Sequence, residues 1–65
     1  MFIQVTNEEF VNMSKVCLII FTKEEAELWY EDDSCTRVKG KYITNVKRYI
    51  RANSHGPIQL PEEVE

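Results

Sequence analysis

An unbroken run of six apolar residues, Val16 to Phe21, decides what kind of core this 65-residue chain can build. The run is rich in β-branched and aromatic residues and is bounded by polar ones, which is typical of a strand in a sheet. Because every position is apolar, we expect both faces of the strand to be at least partly covered. Six residues are far short of the ~20 that a membrane-spanning helix needs, so we expect no segment embedded in a membrane.

The short length limits the chain to one small domain. A domain of this size buries only about 60% of the surface that its unfolded chain exposes, so its core must be thin. We expect a single domain over residues 1–56 and an extended tail over residues 57–65, which hold two prolines and three glutamates. Within that tail, Ile58 and Leu60 are the residues that could dock on the sheet. Such a chain has no room for an active-site cleft between two domains.

Short strands on both sides of the apolar run predict an antiparallel meander. Residues 3–5 and 10–12 show the pattern of short strands, and residues 35–39, centred on Val38, predict another. The segment between Thr22 and Glu31 fits two structures. Thr22 and Glu25 have the spacing of a helix capping box, whereas the alternation over residues 26–31 indicates a strand after a hairpin turn. We favour the strand because it needs only short connections.

A stripe of apolar residues with helical spacing lies near the C-terminal end. It consists of Tyr42, Ile43, Val46, Tyr49 and Ile50. Gly40 can begin this helix, and Gly56 followed by Pro57 can end it. The sequence therefore predicts an α+β fold: a small antiparallel β-meander of four or five short strands with one C-terminal α-helix packed on it.

The segment from Phe10 to Val16, with Asn12 between two apolar stretches, resembles small bacterial flagellar proteins of the FlbD (SwrD) type. The step from Val38-Lys39-Gly40-Lys41 into the terminal amphipathic helix is also similar to theirs, and the resemblance covers roughly residues 1–52. It implies a strand-and-helix fold and a regulatory role, without catalytic residues. The chain has Asp32-Asp33-Ser34 where such proteins usually carry Asn-Gly or Asp-Gly, and it lacks their acidic helix start. The resemblance therefore supports no flagellar role for this chain.

Residues that could perform catalysis or bind a metal are few. Cys17 and Cys35 lie 18 residues apart without a CxxC motif, and we expect reduced thiols, with Cys17 a small core residue. The one histidine, His55, follows the predicted helix and fits a capping or solvent-exposed role. Two cysteines and this histidine cannot complete a zinc site without carboxylates. We expect no enzyme activity, no catalytic residue, no cofactor, no metal and no small-molecule substrate.

The cellular setting follows from the chain start and the cysteines. The first residues show no basic leader followed by a long apolar stretch, so we expect no secretory signal. Together with the expected reduced thiols, this predicts a cytoplasmic protein. The acidic run from Glu31 to Asp33 lacks the spacing and glycine of a calcium loop and predicts a solvated turn.

Acidic and basic residues are sorted along the chain. Residues 24–33 contain six acids and no base, whereas residues 34–61 contain six bases and no acid, within a net charge of −3. One interpretation is that the acidic segment neutralises the adjacent basic strand. The other is a basic surface that binds an anion or a partner, with Tyr42 or Tyr49 stacking on a nucleic-acid base. The candidate residues for this surface are Arg37, Lys39, Lys41, Lys47, Arg48 and Arg51.

A protein partner is the alternative that we favour. A small meander with one helix leaves a sheet face or edge uncovered, and such edges accept added strands. If residues 26–31 form a strand, Trp29 points away from Ala26, Leu28 and Tyr30, and we take Trp29 and Tyr30 as candidate interface residues. The oppositely charged segments also suit a homodimer. We expect a small regulatory or adaptor protein that acts by protein–protein interaction, including self-association, with nucleic-acid binding through residues 37–51 as the alternative.

Overall fold

Five short strands precede one α-helix in the part of the chain that the computed structural model describes, which is residues 1–54, Gly56 and Leu60. The predicted α+β fold with a C-terminal helix is confirmed. Short 3-10 turns lie at Met13–Lys15 and at Gly40–Tyr42. The regular elements are β1 (Phe2–Gln4), β2 (Phe10–Asn12), β3 (Val16–Phe21), β4 (Glu25–Tyr30), β5 (Cys35–Lys39) and α1 (Ile43–Ala52).

The five strands form two antiparallel sheets. β1 pairs with β2, and β3, β4 and β5 form a three-stranded meander with β4 in the centre. The break between the sheets coincides with the 3-10 turn that follows β2. There the Asn12 Oδ1 atom accepts hydrogen bonds from the Ser14 N–H at 3.1 Å and the Ser14 hydroxyl at 2.9 Å. An Asn side chain that satisfies the backbone two residues later favours a turn over a continuing strand.

The ambiguous segment forms strand β4, as favoured from the sequence. The Thr22 N–H donates to the Glu25 carbonyl at 2.8 Å, which closes a tight hairpin between β3 and β4. The Thr22 Oγ1 atom also accepts from the Glu25 N–H at 3.1 Å. A helix capping box would contain this same side-chain contact. The sequence signal therefore reflects a real hydrogen bond, which closes a hairpin turn in this protein.

The acidic turn between β4 and β5 is held by its own side chains. Asp33 has a φ of 68°, in the left-handed region that Asp tolerates better than most residues. The Asp32 Oδ1 atom accepts from the Ser34 N–H at 3.0 Å and from the Ser34 hydroxyl at 2.6 Å. These hydrogen bonds favour the charged carboxylate and lower the pKa of Asp32 below its usual value. The expected solvated turn is confirmed, since residues 31–34 are exposed.

The core lies between α1, the β1–β2 hairpin and one face of the three-stranded sheet. Ala26, Leu28 and Val38 on that face, and Val46 of α1, are completely buried. The other residues of the predicted helical stripe are half-buried and pack against this cluster. Ile3, Val5 and Met13 complete it from the N-terminal side. We call the sheet face that is covered by α1 the inner face, and the opposite one the outer face.

The expectation that both faces of β3 are covered is wrong. Leu18 is 52% exposed and Ile20 40%, whereas Val16, Ile19 and Phe21 are half-buried. The single helix covers the inner face, and no described element packs on the outer face. The expectation that Cys17 belongs to the core is also wrong, because the pairing register with β4 shifts between Val16 and Leu18. This bulge leaves the Cys17 side chain exposed.

The helix ends at Ala52, four residues before the predicted stop at Gly56. Asn53 ends it by donating to the Tyr49 carbonyl, from its backbone N–H at 3.2 Å and from its Nδ2 atom at 2.8 Å. Gly40 has a φ of 63°, which explains a glycine where β5 passes into the turn before α1. None of the helices in the described residues is long and apolar enough to span a bilayer.

Beyond the helix, Leu60 is buried, with 9% of its surface exposed. The role expected for His55 lies outside the described residues. So do the docking of Ile58 and the extended form of the 57–65 tail, apart from Leu60.

Candidate protein-binding surface

The outer face of the three-stranded sheet is divided into an apolar part and a charged part. In the strand register Leu18 lies opposite Trp29, and Ile20 lies opposite Glu27. Because side chains alternate along a strand, Leu18, Ile20 and Trp29 share the outer face, and we call these three residues the apolar strip. On β5 the residues opposite Glu25 and Glu27 are Lys39 and Arg37, which form the charged part.

Ion pairs across β4 and β5 neutralise the charged part. The Arg37 Nε atom lies 3.7 Å from Oε1 of Glu25 and 3.7 Å from Oε2 of Glu27. The Lys39 Nζ atom lies 3.6 Å from Oε2 of Glu25. The Arg37 and Lys39 side chains are more than half exposed, so these pairs add little to stability. These ion pairs support the interpretation in which the acidic segment neutralises the basic strand. Because they form within one chain, these charges are not available to attract the oppositely charged segment of a second copy.

Trp29 occupies the outer face, opposite to the completely buried Ala26 and Leu28, as the alternation predicts. Its ring is half-buried, and its Nε1 atom donates to Oε1 of Glu27 at 3.0 Å. Leu18 is its neighbour on β3, and Cys35 is its neighbour on β5. This hydrogen bond holds a large aromatic ring next to exposed aliphatic side chains, which is the composition of many interface centres.

Tyr30, the second candidate interface residue, lies apart from the apolar strip. Its side chain points to the same side as Leu28, and its hydroxyl is 2.6 Å from the Thr36 Oγ1 atom. It lines an open cleft of about 560 Å³ together with Val5, Phe10 and Lys15. Trp29 and Tyr30 are therefore separated by the sheet and cannot contribute to one flat interface.

The six candidate basic residues do not form one surface. Arg37 and Lys39 belong to the outer face of the sheet, whereas Lys41 precedes α1 and the other three are on α1. Lys41 and Arg48 line one open cleft of about 450 Å³ with Asn45. The Nζ atom of Lys47 lies 5.9 Å from the centroid of the Phe21 ring, and Arg51 is exposed in the last turn of α1.

The free edge of β3 is the other part of the surface. The Thr22 N–H donates to the Glu25 carbonyl, and hydrogen-bonded pairs alternate along an antiparallel ladder. The backbone N–H and C=O groups of Leu18 and Ile20 therefore bond to β4. The N–H and C=O groups of Ile19 and Phe21 then point away from β4. No strand in the described residues pairs with this edge. β3 contains no charged residue, whereas the β5 edge carries Arg37 and Lys39.

An apolar groove of about 270 Å³ lies along β3. Met13, Val16, Ile19 and Tyr49 line it, together with Cys17 and Leu18. The lining contains no charged side chain, so an added strand could place apolar side chains there at no cost in buried charge. We refer to the apolar strip, the free edge of β3 and this groove together as the β3 surface.

Sequence reasoning missed several exposed apolar residues. Leu18 and Ile20 were expected to be covered, and their exposure follows from the strand alternation combined with a one-sided helix. Phe2 and Phe10 on the β1–β2 hairpin are 64% and 61% exposed, and Met1 is 67% exposed. Phe2 lines a groove of about 300 Å³ with Tyr49 and Ala52. The alternation of Phe2 with the buried Ile3 was the one available signal for this second patch.

Among the described residues, no group of three His, Cys, Asp or Glu side chains lies close enough together to hold a metal ion. Cys17 and Cys35 are free thiols. No protein-family model matches the chain, and comparisons with curated proteins and with solved structures likewise find no match.

Proposed function

We propose that this chain is a non-enzymatic regulatory or adaptor protein of the cytoplasm, which acts by binding another protein molecule through its β3 surface. The observation that carries the proposal is an edge strand that has no charge and exposes Leu18 and Ile20. Natural sheets usually protect their edges with charged residues, as β5 does here with Arg37 and Lys39. An unprotected edge beside exposed aliphatic side chains is the arrangement to which an extended strand adds.

Energetics support the same surface. Leu18 is 52% exposed and Ile20 is 40% exposed, and full burial of such a side chain is worth about 1.5–3 kcal/mol. Each residue can therefore contribute roughly 1 kcal/mol on binding. The half-buried Trp29 can serve as an anchor that is already held in place by Glu27. The ion-paired part of the outer face then forms a polar rim.

A photo-crosslinking amino acid at position 20 tests this proposal in cells. We expect a discrete crosslinked species of higher mass, because the Ile20 side chain lies in the proposed contact. The matched control places the same crosslinker at Thr44, which is exposed on α1. Crosslinking at position 44 that equals or exceeds that at position 20 contradicts a binding role for the β3 surface.

Nucleic-acid binding is retained as a second candidate because Lys41 and Arg48 share one cleft. The lining residues of that cleft include no carboxylate. Arg37 and Lys39 do not support it, since their glutamate partners would repel phosphates. Tyr42 and Tyr49 are half-buried against the core, so their rings are poorly placed to stack on bases.

The salt dependence of oligonucleotide binding tests this second candidate. Two phosphate contacts, from Lys41 and Arg48, predict that affinity for duplex DNA falls about tenfold between 50 and 200 mM salt. Fluorescence anisotropy with a labelled duplex measures it, and Arg48→Ala should roughly halve the slope. Arg37→Ala is the control, because Arg37 is already ion-paired. Absence of binding at 50 mM salt, or binding that salt does not weaken, excludes this candidate.

A further inference from the structure

We propose that the molecule which binds the β3 surface is a second copy of this chain, joined by antiparallel pairing of the two β3 strands about a two-fold axis at Ile19. This inference rests on the proposed function and specifies its partner. The pairing would join the two meanders into one six-stranded sheet, with the two β3 strands in the middle.

The edge of β3 is complementary to itself in this arrangement. The outward N–H and C=O groups of Ile19 would bond to Ile19 of the second copy, which forms a hydrogen-bonded pair. On the outer face, Leu18 would lie opposite Ile20 of the second copy, and Ile20 opposite Leu18. The four side chains that meet on this face are all apolar. Both aliphatic residues that are exposed in one chain would then gain an apolar neighbour at the distance of paired residues.

The groove beside β3 suits the inner side of the same contact. In this register, Phe21 of the second copy lies opposite Cys17, which lines the groove together with Val16 and Tyr49. The lining is uncharged and faces the side on which an added strand carries Ile19 and Phe21. A partner strand with charged residues at these positions would have to bury them without a partner charge.

Charges at the ends of β3 favour antiparallel over parallel pairing. Lys15 precedes the strand, Lys23 and Glu24 follow it, and all three are exposed. Antiparallel pairing about Ile19 places Lys15 of each copy near the turn that carries both Lys23 and Glu24 of the other, which gives a net charge of +1 at each end. Parallel pairing would place Lys15 beside Lys15, with a net charge of +2 at that end. The antiparallel arrangement therefore avoids the Lys15–Lys15 contact, and Glu24 offsets one of the two lysines at each end.

The proposed dimer also leaves no unprotected strand edge in the six-stranded sheet to which further copies could add. After the two β3 edges have paired, the outer edges of the six-stranded sheet are the two β5 strands, which carry Arg37 and Lys39. Charged edges resist further strand addition, so the assembly stops at two copies. Pairing of β3 with β5 of another copy would leave a free edge at each end and grow without limit. The position of the charges therefore selects a dimer over a fibre.

Sedimentation velocity of the purified full chain tests the dimer. We expect a species of twice the 7.7 kDa chain mass at tens of micromolar, and dissociation on dilution. Ile20→Lys should lower the fraction of dimer at least tenfold, and the control Thr44→Lys on α1 should leave it unchanged. Far-UV circular dichroism establishes that both variants are folded. A monomer at all concentrations overturns the inference, as does a dimer that Ile20→Lys leaves intact.

Disulfide trapping tests the register without relying on a disruptive charge. In a background of Cys17→Ser and Cys35→Ser, a mixture of Leu18→Cys and Ile20→Cys chains should form a mixed disulfide under mild oxidation. Leu18→Cys alone should crosslink at least tenfold less, because its thiol faces Ile20 of the other copy. Equal crosslinking in the two samples contradicts the two-fold axis at Ile19.

These results also separate this inference from the proposed function. A monomeric pure protein that still crosslinks to another protein through position 20 in cells would overturn the second copy as partner. The binding role of the β3 surface would then stand. If the purified chain is monomeric and position 20 also forms no crosslink in cells, both the dimer and the binding role of the β3 surface are excluded.

Discussion

Replacing Leu28 with alanine is expected to remove a large part of the free energy of unfolding of this protein. Leu28 is completely buried at the middle of β4, which is the central strand of the meander. Loss of a buried leucine side chain costs about 2–5 kcal/mol, whereas a chain of this length has about 3–10 kcal/mol of stability in total. With a urea slope of about 1 kcal/mol per molar, the unfolding midpoint should fall by about 2–5 M. Urea denaturation followed by far-UV circular dichroism measures it.

The matched control is the same substitution at Leu18, which removes the same atoms from a side chain that is 52% exposed. We expect a loss below about 1 kcal/mol, because little buried area and no cavity are involved. The two variants should be compared at a protein concentration at which the chain sediments as a monomer, since Leu18 belongs to the β3 surface. Equal losses for the two leucines would contradict the assignment of inner and outer faces.

Elements with a local signal were predicted correctly from the sequence. The helical stripe around Val46 has the period of a helix, and the β-branched and aromatic residues of β3, bounded by polar ones, favour a strand. Strand β4 was favoured over a helix because a hairpin turn at residues 22–25 needs only short connections and pairs β4 with its neighbour in the chain, β3. In each case the deciding information lies within about ten residues of the chain.

Which face of β3 is covered could not be predicted in the same way. A run that is apolar at every position carries no alternation, so it does not distinguish the inner face of Ile19 from the outer face of Ile20. The answer depends on where α1 packs, which is a contact between distant parts of the chain. The exposure of Cys17 depends on a register shift against β4, and nothing near Cys17 in the sequence marks that shift.

At the candidate site, too, features with a local sequence signal were predicted, and features that depend on contacts between strands were not. The outward direction of Trp29 follows from alternation within β4 and was predicted. The separation of the basic residues was not, because the pairing of Arg37 with Glu27 depends on the cross-strand register of β4 and β5. Lys41 would share a face with Arg37 if β5 continued, but the chain leaves the strand at Gly40. The turn thus moves Lys41 away from the sheet and into a cleft with Arg48.

A buried charge on α1 gives the second large effect that we expect. Val46 is completely buried against the inner face of the sheet, and Val46→Asp would place a carboxylate there without a partner charge. The expected loss exceeds about 4 kcal/mol at neutral pH, which is enough to unfold a domain of this size. The helical circular dichroism signal at 222 nm should largely disappear, together with the cooperative urea transition.

The pH dependence of this variant identifies the cause. Burial raises the pKa of a carboxyl group in the folded state above its value in the unfolded chain. The folded state therefore binds the proton more tightly, and the penalty is removed as the pH falls through the folded-state pKa. Val46→Asp should regain part of its stability relative to the parent protein near pH 4, unlike a variant that is merely misfolded.

Thr44→Asp is the control on the same helix. Thr44 is exposed in the first turn of α1, where an acid interacts favourably with the helix dipole by about 0.3–1 kcal/mol. This variant should keep the parent stability or exceed it slightly, and its helical signal should be unchanged. If Val46→Asp were as stable as Thr44→Asp, α1 would not pack on the inner face of the sheet. The exposure of the opposite face, on which the proposed binding surface depends, would then lose its structural basis.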